Sequence, residues 1–378
     1  MKLGRVISAA LLALVALIAT ARMSCTVNIG LPQQSAPAVP QAPPAKSEKA
    51  PPLLGLPADF KAKADEAYKA FPAPFRIHGA AGDAANRKKQ ALLFKAELAI
   101  EAPGKPKGEF FPCRFQQSSD CVSMGGARAI FTTAAVQVVN GKAAAAVPPF
   151  EPHLYGLSRV TIGGGRPRCN QGGAYPDDLA AGFRRFGFVS YAEAGVPYSG
   201  RLADQWGCQG PPRALLEVGK ARAGGDVYPA RTTDEAIDGL CNGYALTGGI
   251  EWRPGRVREL NGYAITQFDG RNLGGHQVAL VGYDGQAGEG QFIFANSHGA
   301  DAHPTNPGDP PGSFRVTRAT LDWMMETGTF WVFSSVPGFP ANELDLSGLD
   351  DLVMRSAATP AVAQREKRNV VSKRLLAP

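Results

Sequence analysis

The sequence has few histidines and cysteines, the usual ligands of zinc, and they are scattered along the chain. Its five histidines and six cysteines include no CxxC pair and no group at the spacing of a zinc site. It also lacks internal repeats, and no apolar run reaches the roughly 20 residues that a membrane-spanning helix needs. We therefore expect neither a metal nor a cofactor. In an exported protein, the cysteines other than a free nucleophile can form up to two disulfides, whose pairing the sequence does not give.

The body of the chain also lacks an excess of charge of one sign. The net charge is +7, but Lys2 and Arg5 supply two of these charges, and the segment 365–374 supplies a net four. The residues between are almost neutral, so the sequence predicts no nucleic-acid-binding surface there. The basic tail, 337–378, has no hydrophobic periodicity and is expected to be a flexible, solvated end.

The first residues have the pattern of an export signal. Lys2 and Arg5 precede an apolar run over 6–19, and small residues at 19–21 offer a cleavage site. We expect residues 1–21 to be a signal peptide and the protein to be secreted or periplasmic. The alternatives are an uncleaved anchor or a lipid on Cys25, and only these would bring the chain to a membrane.

Three regions follow the signal. Residues 22–57 are rich in Pro and Ala, which predicts an extended linker. Residues 58–107 show helical periodicity over 58–70 and 84–100 and form either a propeptide or an N-terminal extension. The globular region, 108–336, has predicted helices followed by predicted strands, which favours an α+β domain. The helices are predicted at 122–133, 177–186 and 234–246, and the strands at 277–283, 290–295, 313–317 and 329–335.

Cys121 is the candidate nucleophile. It follows a polar turn, 116–120, and precedes a predicted helix, and a cysteine at a helix N-terminus can have a lowered pKa. The alternative is a buried structural cysteine or a disulfide partner. Asp120 lies directly before it, and its negative charge would oppose thiolate formation unless the carboxylate points away.

A candidate base and a candidate orienting group follow later in the chain. His276 comes after two glycines and begins an apolar run that ends at Tyr283, and Asn296 ends the next apolar run. A cysteine nucleophile needs a base, and the base needs a group that fixes its tautomer. The order Cys, His, Asn, with the residues around each, resembles the papain-like cysteine peptidases.

The resemblance covers 111–336 and includes two further stretches. Gln116 and Gln117 lie where the family has an oxyanion-binding glutamine, in a shorter turn; Gln116 is preferred because it keeps more of that turn. Gly172 and Gly173 lie in a stretch similar to the family's glycine turn, whose backbone pairs with substrate, and are the candidate substrate contacts. The resemblance implies a two-lobe fold, helical and antiparallel β, with the active-site cleft between the lobes.

Some residues depart from the family pattern. His298 stands where the family has a tryptophan that shields the Asn–His hydrogen bond, and we hypothesise that His298 stacks in its place. Ser118 replaces a family cysteine, so we hypothesise that Cys113 is the substitute disulfide partner of Cys169. The Pro- and Asp-rich segment 301–311 is interpreted as a loop insertion.

The sequence therefore predicts an exported, monomeric thiol endopeptidase that acts on a peptide or protein. Cys121 would attack the carbonyl, His276 would serve as base and then acid, and Asn296 would orient His276. Gln116 and the Cys121 backbone N–H would bind the oxyanion. Two alternatives stay open: a papain-like domain with weak or lost catalysis in a binding or structural role, and another acyl transfer, such as amidase or transglutaminase activity.

Overall fold

The computed structural model describes residues 54–75, 77, 90–165, 169, 171–288, 290–304, 306–334, 339–340, 346 and 349. The predicted signal peptide, most of the predicted linker and almost all of the predicted basic tail lie outside these residues.

The described residues combine helices with one nine-stranded sheet. The helices are α1 (Phe60–Tyr68), α2 (Lys95–Ala99), α3 (Cys121–Val139), α4 (Glu151–Gly156, continued by a π-helical turn at Leu157–Ile162), α5 (Pro176–Phe186), α6 (Tyr191–Ala194), α7 (Gly200–Gln209), α8 (Arg213–Gly219), α9 (Thr233–Cys241) and α10 (Arg318–Thr327). The strands are β1 (Gln90–Leu92), β2 (Asp226–Ala230), β3 (Leu246–Glu251), β4 (Val257–Leu260), β5 (Tyr263–Thr266), β6 (Gly275–Asp284), β7 (Gln291–Ala295), β8 (Ser313–Thr317) and β9 (Thr329–Ser334). The predicted α+β class is confirmed.

The sheet places β6 near its centre. Its strand order is β2-β9-β3-β6-β7-β8-β5-β4, and every neighbouring pair is antiparallel except β5 with β8. On one side β6 pairs with β3 up to Leu280 and then with the short strand β1 from Gly282. On the other side it pairs with β7, with an irregularity at Leu280/Gly282. His276 is therefore the second residue of a strand that has partners on both sides.

Helix α3 is the central helix of the fold. By length and composition it could cross a membrane, but 83% of its apolar window is buried inside the protein, which identifies it as a core helix. It contributes Ala129 and Phe131 to the hydrophobic cluster around the sheet. It contributes Val122 and Ile130 to a second cluster, which it shares with α4 and α5. The helical part of the protein thus packs on the sheet through α3.

The local sequence determines where helix α5, which follows the glycine turn, begins and ends. Pro176 occupies its first position, where a missing N–H costs nothing, and Asp177 lies in the first turn while Arg185 lies in the last, matching the helix dipole. The helix ends at Gly187, whose φ of +62° suits glycine.

Two predicted helices differ from the structure. The segment predicted as a helix over 84–100 is the strand Gln90–Leu92 followed by the helix Lys95–Ala99, because the free edge of β6 accepts a strand there; residues 84–89 lie outside the described residues. The helix predicted over 234–246 ends at Cys241, because Gly243 adopts a φ of +84° and Leu246 already pairs in β3.

The hypothesis of a Cys113–Cys169 disulfide is wrong. Cys169 is bonded to Cys208, with the two Cα atoms 5.0 Å apart. Helix α7 carries Cys208 to the start of the glycine turn, whereas Cys113 is a free thiol whose Sγ lies 3.4 Å from the Asn296 carbonyl oxygen. The bridge ties α7 to the turn that carries Gly172.

Residues 90–107 are joined to the central helix by a buried carboxylate. The Glu97 side chain accepts hydrogen bonds from Arg128 Nη2 (2.8 Å), Thr132 Oγ1 (2.7 Å) and the Phe111 backbone N–H (2.9 Å). Arg128 and Glu97 are both buried, so their pairing compensates two desolvated charges.

We expect Glu97→Ala to lower the free energy of unfolding by about 3–5 kcal/mol, because it leaves the buried Arg128 charge without its carboxylate. Denaturant unfolding monitored by circular dichroism measures the change. The control is Glu66→Ala, which removes an exposed Lys69 ion pair and should change the stability by about 0–1 kcal/mol. Equal effects for the two variants would contradict a special role for the Glu97–Arg128 pair.

Candidate active site

The packing of α3 on β6 brings Cys121 to the strand that carries His276. Cys121 is the first residue of α3 and is fully buried, and its sulfur is hydrogen-bonded to the backbone of Gln277, the neighbour of His276. The approach depends on Gly125, one turn further along α3. A Cβ there would lie 2.9 Å from Thr247 Oγ1 and 3.1 Å from Gln277 Cγ, so only glycine fits without a shift.

Asn296 fixes the tautomer of His276. The Asn296 Oδ1 atom lies 2.8 Å from His276 Nε2 and accepts the Ser297 backbone N–H at 2.7 Å. A backbone N–H can only donate, which identifies this atom as the amide oxygen and makes His276 Nε2 the donor. The other ring nitrogen, Nδ1, is buried and has no hydrogen-bond partner among the described residues, so it is available to exchange a proton.

Two aromatic rings cover His276. The His298 ring stacks on it, with centroids 4.3 Å apart and planes inclined by 19°, as hypothesised from the sequence. Trp252 meets the His276 ring edge-on at 4.8 Å. Trp252 was not predicted as a site residue: it follows β3, and only the pairing of Ile250 with His276 in the sheet brings it there.

The structure separates the two candidate oxyanion glutamines. Gln116 is buried beside the Asn296 segment: its N–H donates to Ser297 O (2.8 Å), and its Oε1 accepts from Ser297 Oγ (2.8 Å). Its Nε2 donates to Ser118 O at 2.8 Å. Gln117 faces away, and its Oε1 accepts the Gly200 N–H at the start of α7. Of the two, Gln116 has the side chain that contacts the segment with Asn296 and Ser297.

The chain segment 54–56 runs between the glycine turn and the start of β6. The Ala174 N–H donates to Gly55 O at 3.0 Å, and the Leu56 N–H donates to Gly275 O at 3.1 Å. Gly173, with a φ of +98°, lies so close that a Cβ on it would be 2.4 Å from Gly55 O. Gly172 packs equally tightly on Ser119, where its Cβ would be 2.4 Å from the serine Cβ. The turn predicted to contact substrate is thus covered by residues 54–56 of the same chain.

Gly55 lies directly over the candidate nucleophile. A Cβ on Gly55 would be 2.9 Å from Cys121 Sγ and 2.2 Å from Ser119 O. The Gly55 backbone also hydrogen-bonds to the sulfur. A substrate carbonyl could not reach Cys121 while this segment is in place.

Burial decides the charge states of the two central residues. It raises the pKa of the Cys121 thiol to about 12, against the opposing effect of backbone hydrogen bonds from Gln277 and Gly55. Burial, then the neighbouring His298, lowers the pKa of His276 well below its usual value. Both groups are therefore neutral in this arrangement, although a helix N-terminus by itself would lower the thiol pKa.

Asp120 does not place a full negative charge beside the candidate nucleophile at neutral pH. It is buried, and this burial raises its pKa to about 8, with Glu151 and Asp204 adding to the shift. The Tyr198 hydroxyl lies 3.2 Å from Asp120 Oδ2 and opposes the shift. The charge that the sequence gives Asp120 is thus largely removed by protonation.

No protein-family model and no curated protein matches this chain. Solved structures of papain-like cysteine proteases resemble it. Xylellain, a cysteine protease from Xylella fastidiosa, is 19% identical over 70% of this chain and 96% of its own, with a TM-score of 0.41. Procathepsin B S9 from Trypanosoma congolense is 16% identical over 71% and 96%, with a TM-score of 0.38. Digestive procathepsin L 3 from Tenebrio molitor larval midgut is 14% identical over 72% and 88%, with a TM-score of 0.41. At these values the likeness assigns no activity to this chain.

Proposed function

We propose that this protein is a latent thiol endopeptidase with Cys121, His276 and Asn296 as its catalytic residues. One observation carries the proposal: Asn296 holds His276 as the Nε2–H tautomer. Its Nδ1 atom then has no hydrogen-bond partner among the residues that the structure describes, and it lies on the strand against which Cys121 packs. A buried ring nitrogen without a hydrogen bond is costly, and a proton-accepting role accounts for it.

In the proposed reaction, the Cys121 thiol gives its proton to His276 Nδ1, and the sulfur attacks the substrate carbonyl carbon. The carbonyl oxygen takes up negative charge and is bound by the Cys121 backbone N–H and the Gln116 amide. The imidazolium then protonates the leaving amine, which breaks the peptide bond and leaves a thioester. Water, deprotonated by His276, hydrolyses the thioester and restores the thiol.

Latency is supported by the segment 54–56. It fills the space above Cys121 and hydrogen-bonds to the same turn that is predicted to bind substrate. It also covers the Cys121 sulfur, and desolvation disfavours the thiolate–imidazolium pair. We infer that the segment must move before the ion pair forms and substrate enters.

The alternative function is a papain-like domain without catalysis. The raised pKa of Cys121 and its full burial favour it. Amidase and transglutaminase activity use the same residues and differ only in the acyl donor and acceptor. Export and a monomeric state remain part of the proposal, the former on the signal pattern at 1–21.

We expect a thiol-directed epoxide to label Cys121 in the full-length protein, slowly because of the covering segment, and to require His276 as the base. Mass spectrometry of the labelled peptide measures it in the wild type, Cys121→Ser and His276→Gln. The control is Cys241→Ala, which removes another buried cysteine and should not change labelling. Wild-type labelling that persists in His276→Gln would contradict the proposal. Products formed from a peptide with an added amine distinguish hydrolysis from transamidation.

We expect Gly55→Ala to raise the labelling rate of Cys121 by about tenfold or more, because its Cβ would overlap the Ser119 carbonyl and the sulfur and displace the segment. The matched control is Gly239→Ala, whose Cβ would make ordinary contacts of 3.5–3.7 Å and should leave the rate unchanged. If neither variant changes the rate, the segment does not restrict access to Cys121.

We expect Asp120→Asn to change how stability depends on pH. The native-state pKa of Asp120, about 8, lies above its usual 3.8, so its contribution is full below pH 4 and is lost as the pH rises through 8. Relative to the wild type, the asparagine variant should gain stability on the order of 4 kcal/mol between pH 4 and pH 8. Urea unfolding at both pH values measures the gain, and parallel profiles for the two proteins would show that Asp120 is ionised in the fold.

A further inference from the structure

The amide nitrogen of Asn296 contacts two histidines besides the candidate base. Its Nδ2 atom lies 3.2 Å from His298 Nδ1 and 2.8 Å from His303 Nε2. Because the Ser297 backbone N–H identifies the other amide atom as oxygen, Nδ2 must donate both of its hydrogens here. His298 Nδ1 and His303 Nε2 are therefore lone-pair acceptors.

His303 belongs to the segment 301–311, which we interpret as a loop insertion from the resemblance to papain-like peptidases. Two sets of contacts hold this segment firmly. Asp309 accepts from Arg315 Nε (2.6 Å) and Nη2 (2.7 Å), and all of these groups are buried. Asn306 pairs with the backbone of Ala264 through Oδ1 (2.7 Å) and Nδ2 (3.1 Å). The segment thus presents His303 to Asn296 from a fixed position.

The surroundings of His303 keep its acceptor nitrogen unprotonated. Its ring packs against Phe314 at 4.8 Å and Trp252 at 6.0 Å. Burial, and then the neighbouring His298, lowers the pKa of His303 to about 4. At neutral pH the lone pair on Nε2 is available to Asn296.

We propose that His303 is a positioning residue for the peptidase: with His298, it holds the Asn296 amide so that Oδ1 accepts from His276 Nε2. The proposal rests on the proposed triad. Asn296 is only 8% exposed, so losing one acceptor leaves a buried N–H without a partner. Rotation of the Asn296 side chain relieves that loss, but it breaks the hydrogen bond that orients His276. The insertion thereby supplies part of the active-site support.

A pair of substitutions separates hydrogen bonding from packing. His303→Gln places an amide oxygen near the position of Nε2, and His303→Phe fills the ring volume but has no lone pair. Ring ¹⁵N spectra of the histidine-labelled full chain report the tautomer of His276, and the epoxide labelling rate across pH 5–9 reports its function. With only five histidines, the signals can be assigned by substitution.

We expect His276 to remain the Nε2–H tautomer in the wild type and in His303→Gln, with labelling rates within about threefold. In His303→Phe we expect a mixed tautomer and about tenfold slower labelling, as losing a buried acceptor implies. If the phenylalanine variant does not fold, His303→Ala is compared with and without added imidazole, which should restore the rate. A wild-type spectrum in His303→Phe, or no rescue of His303→Ala by imidazole, would overturn the positioning role.

The two proposals fail differently. If the wild type shows no labelling that depends on His276, the peptidase proposal fails, while the His276 tautomer in His303→Phe still tests the positioning of Asn296. If the wild type is labelled and the phenylalanine variant matches it in rate and spectrum, only the role of His303 fails.

Discussion

The close packing of α3 on β6 is the contact on which the site depends. The helix approaches the strand where Gly125 faces Thr247 and Gln277, at distances that exclude any larger residue. That approach fixes Cys121 at the end of the helix and places its sulfur against the backbone beside His276. The rest of the sheet supports the contact: β3 and β7 hold β6 from both sides and carry the residues around Trp252 and Asn296 to the same end.

Burial and the helix N-terminus act on Cys121 in opposite directions, and burial is the larger effect here. A helix N-terminus acts like about half a positive charge and lowers the thiol pKa. Removing a thiolate from water raises the same pKa by up to several units. The segment 54–56 lies over the sulfur and is also hydrogen-bonded to the turn at Gly173. In the proposed enzyme, the same contact would close the substrate site.

Sequence periodicity predicted the elements whose pattern is local. The helix at 177–186 and the strands at 277–283 and 313–317 agree with α5, β6 and β8 to within two residues, because each buries one face or a continuous apolar run. The strand at 90–92 was missed because its partner is the edge of β6, far along the chain. The disulfide, Trp252 and His303 escaped for the same reason: each is placed by tertiary packing that leaves no mark at its own position. The order Cys, His, Asn was visible only through its resemblance to a known pattern.

The side chain of Asn296 is held by contacts that its own position in the sequence does not reveal. Its side chain has one oxygen and two N–H groups, and all are used: the oxygen by Ser297 N–H and His276, the nitrogen by His298 and His303. A shield of one tryptophan protects an Asn–His hydrogen bond by excluding water. Here two imidazoles also accept hydrogen bonds, so protection and orientation come from the same rings. The arrangement requires both imidazoles to stay unprotonated at those atoms, and burial provides this for His303. A histidine at position 298 therefore does not remove the support of the Asn296–His276 hydrogen bond, because it both stacks on His276 and accepts from Asn296.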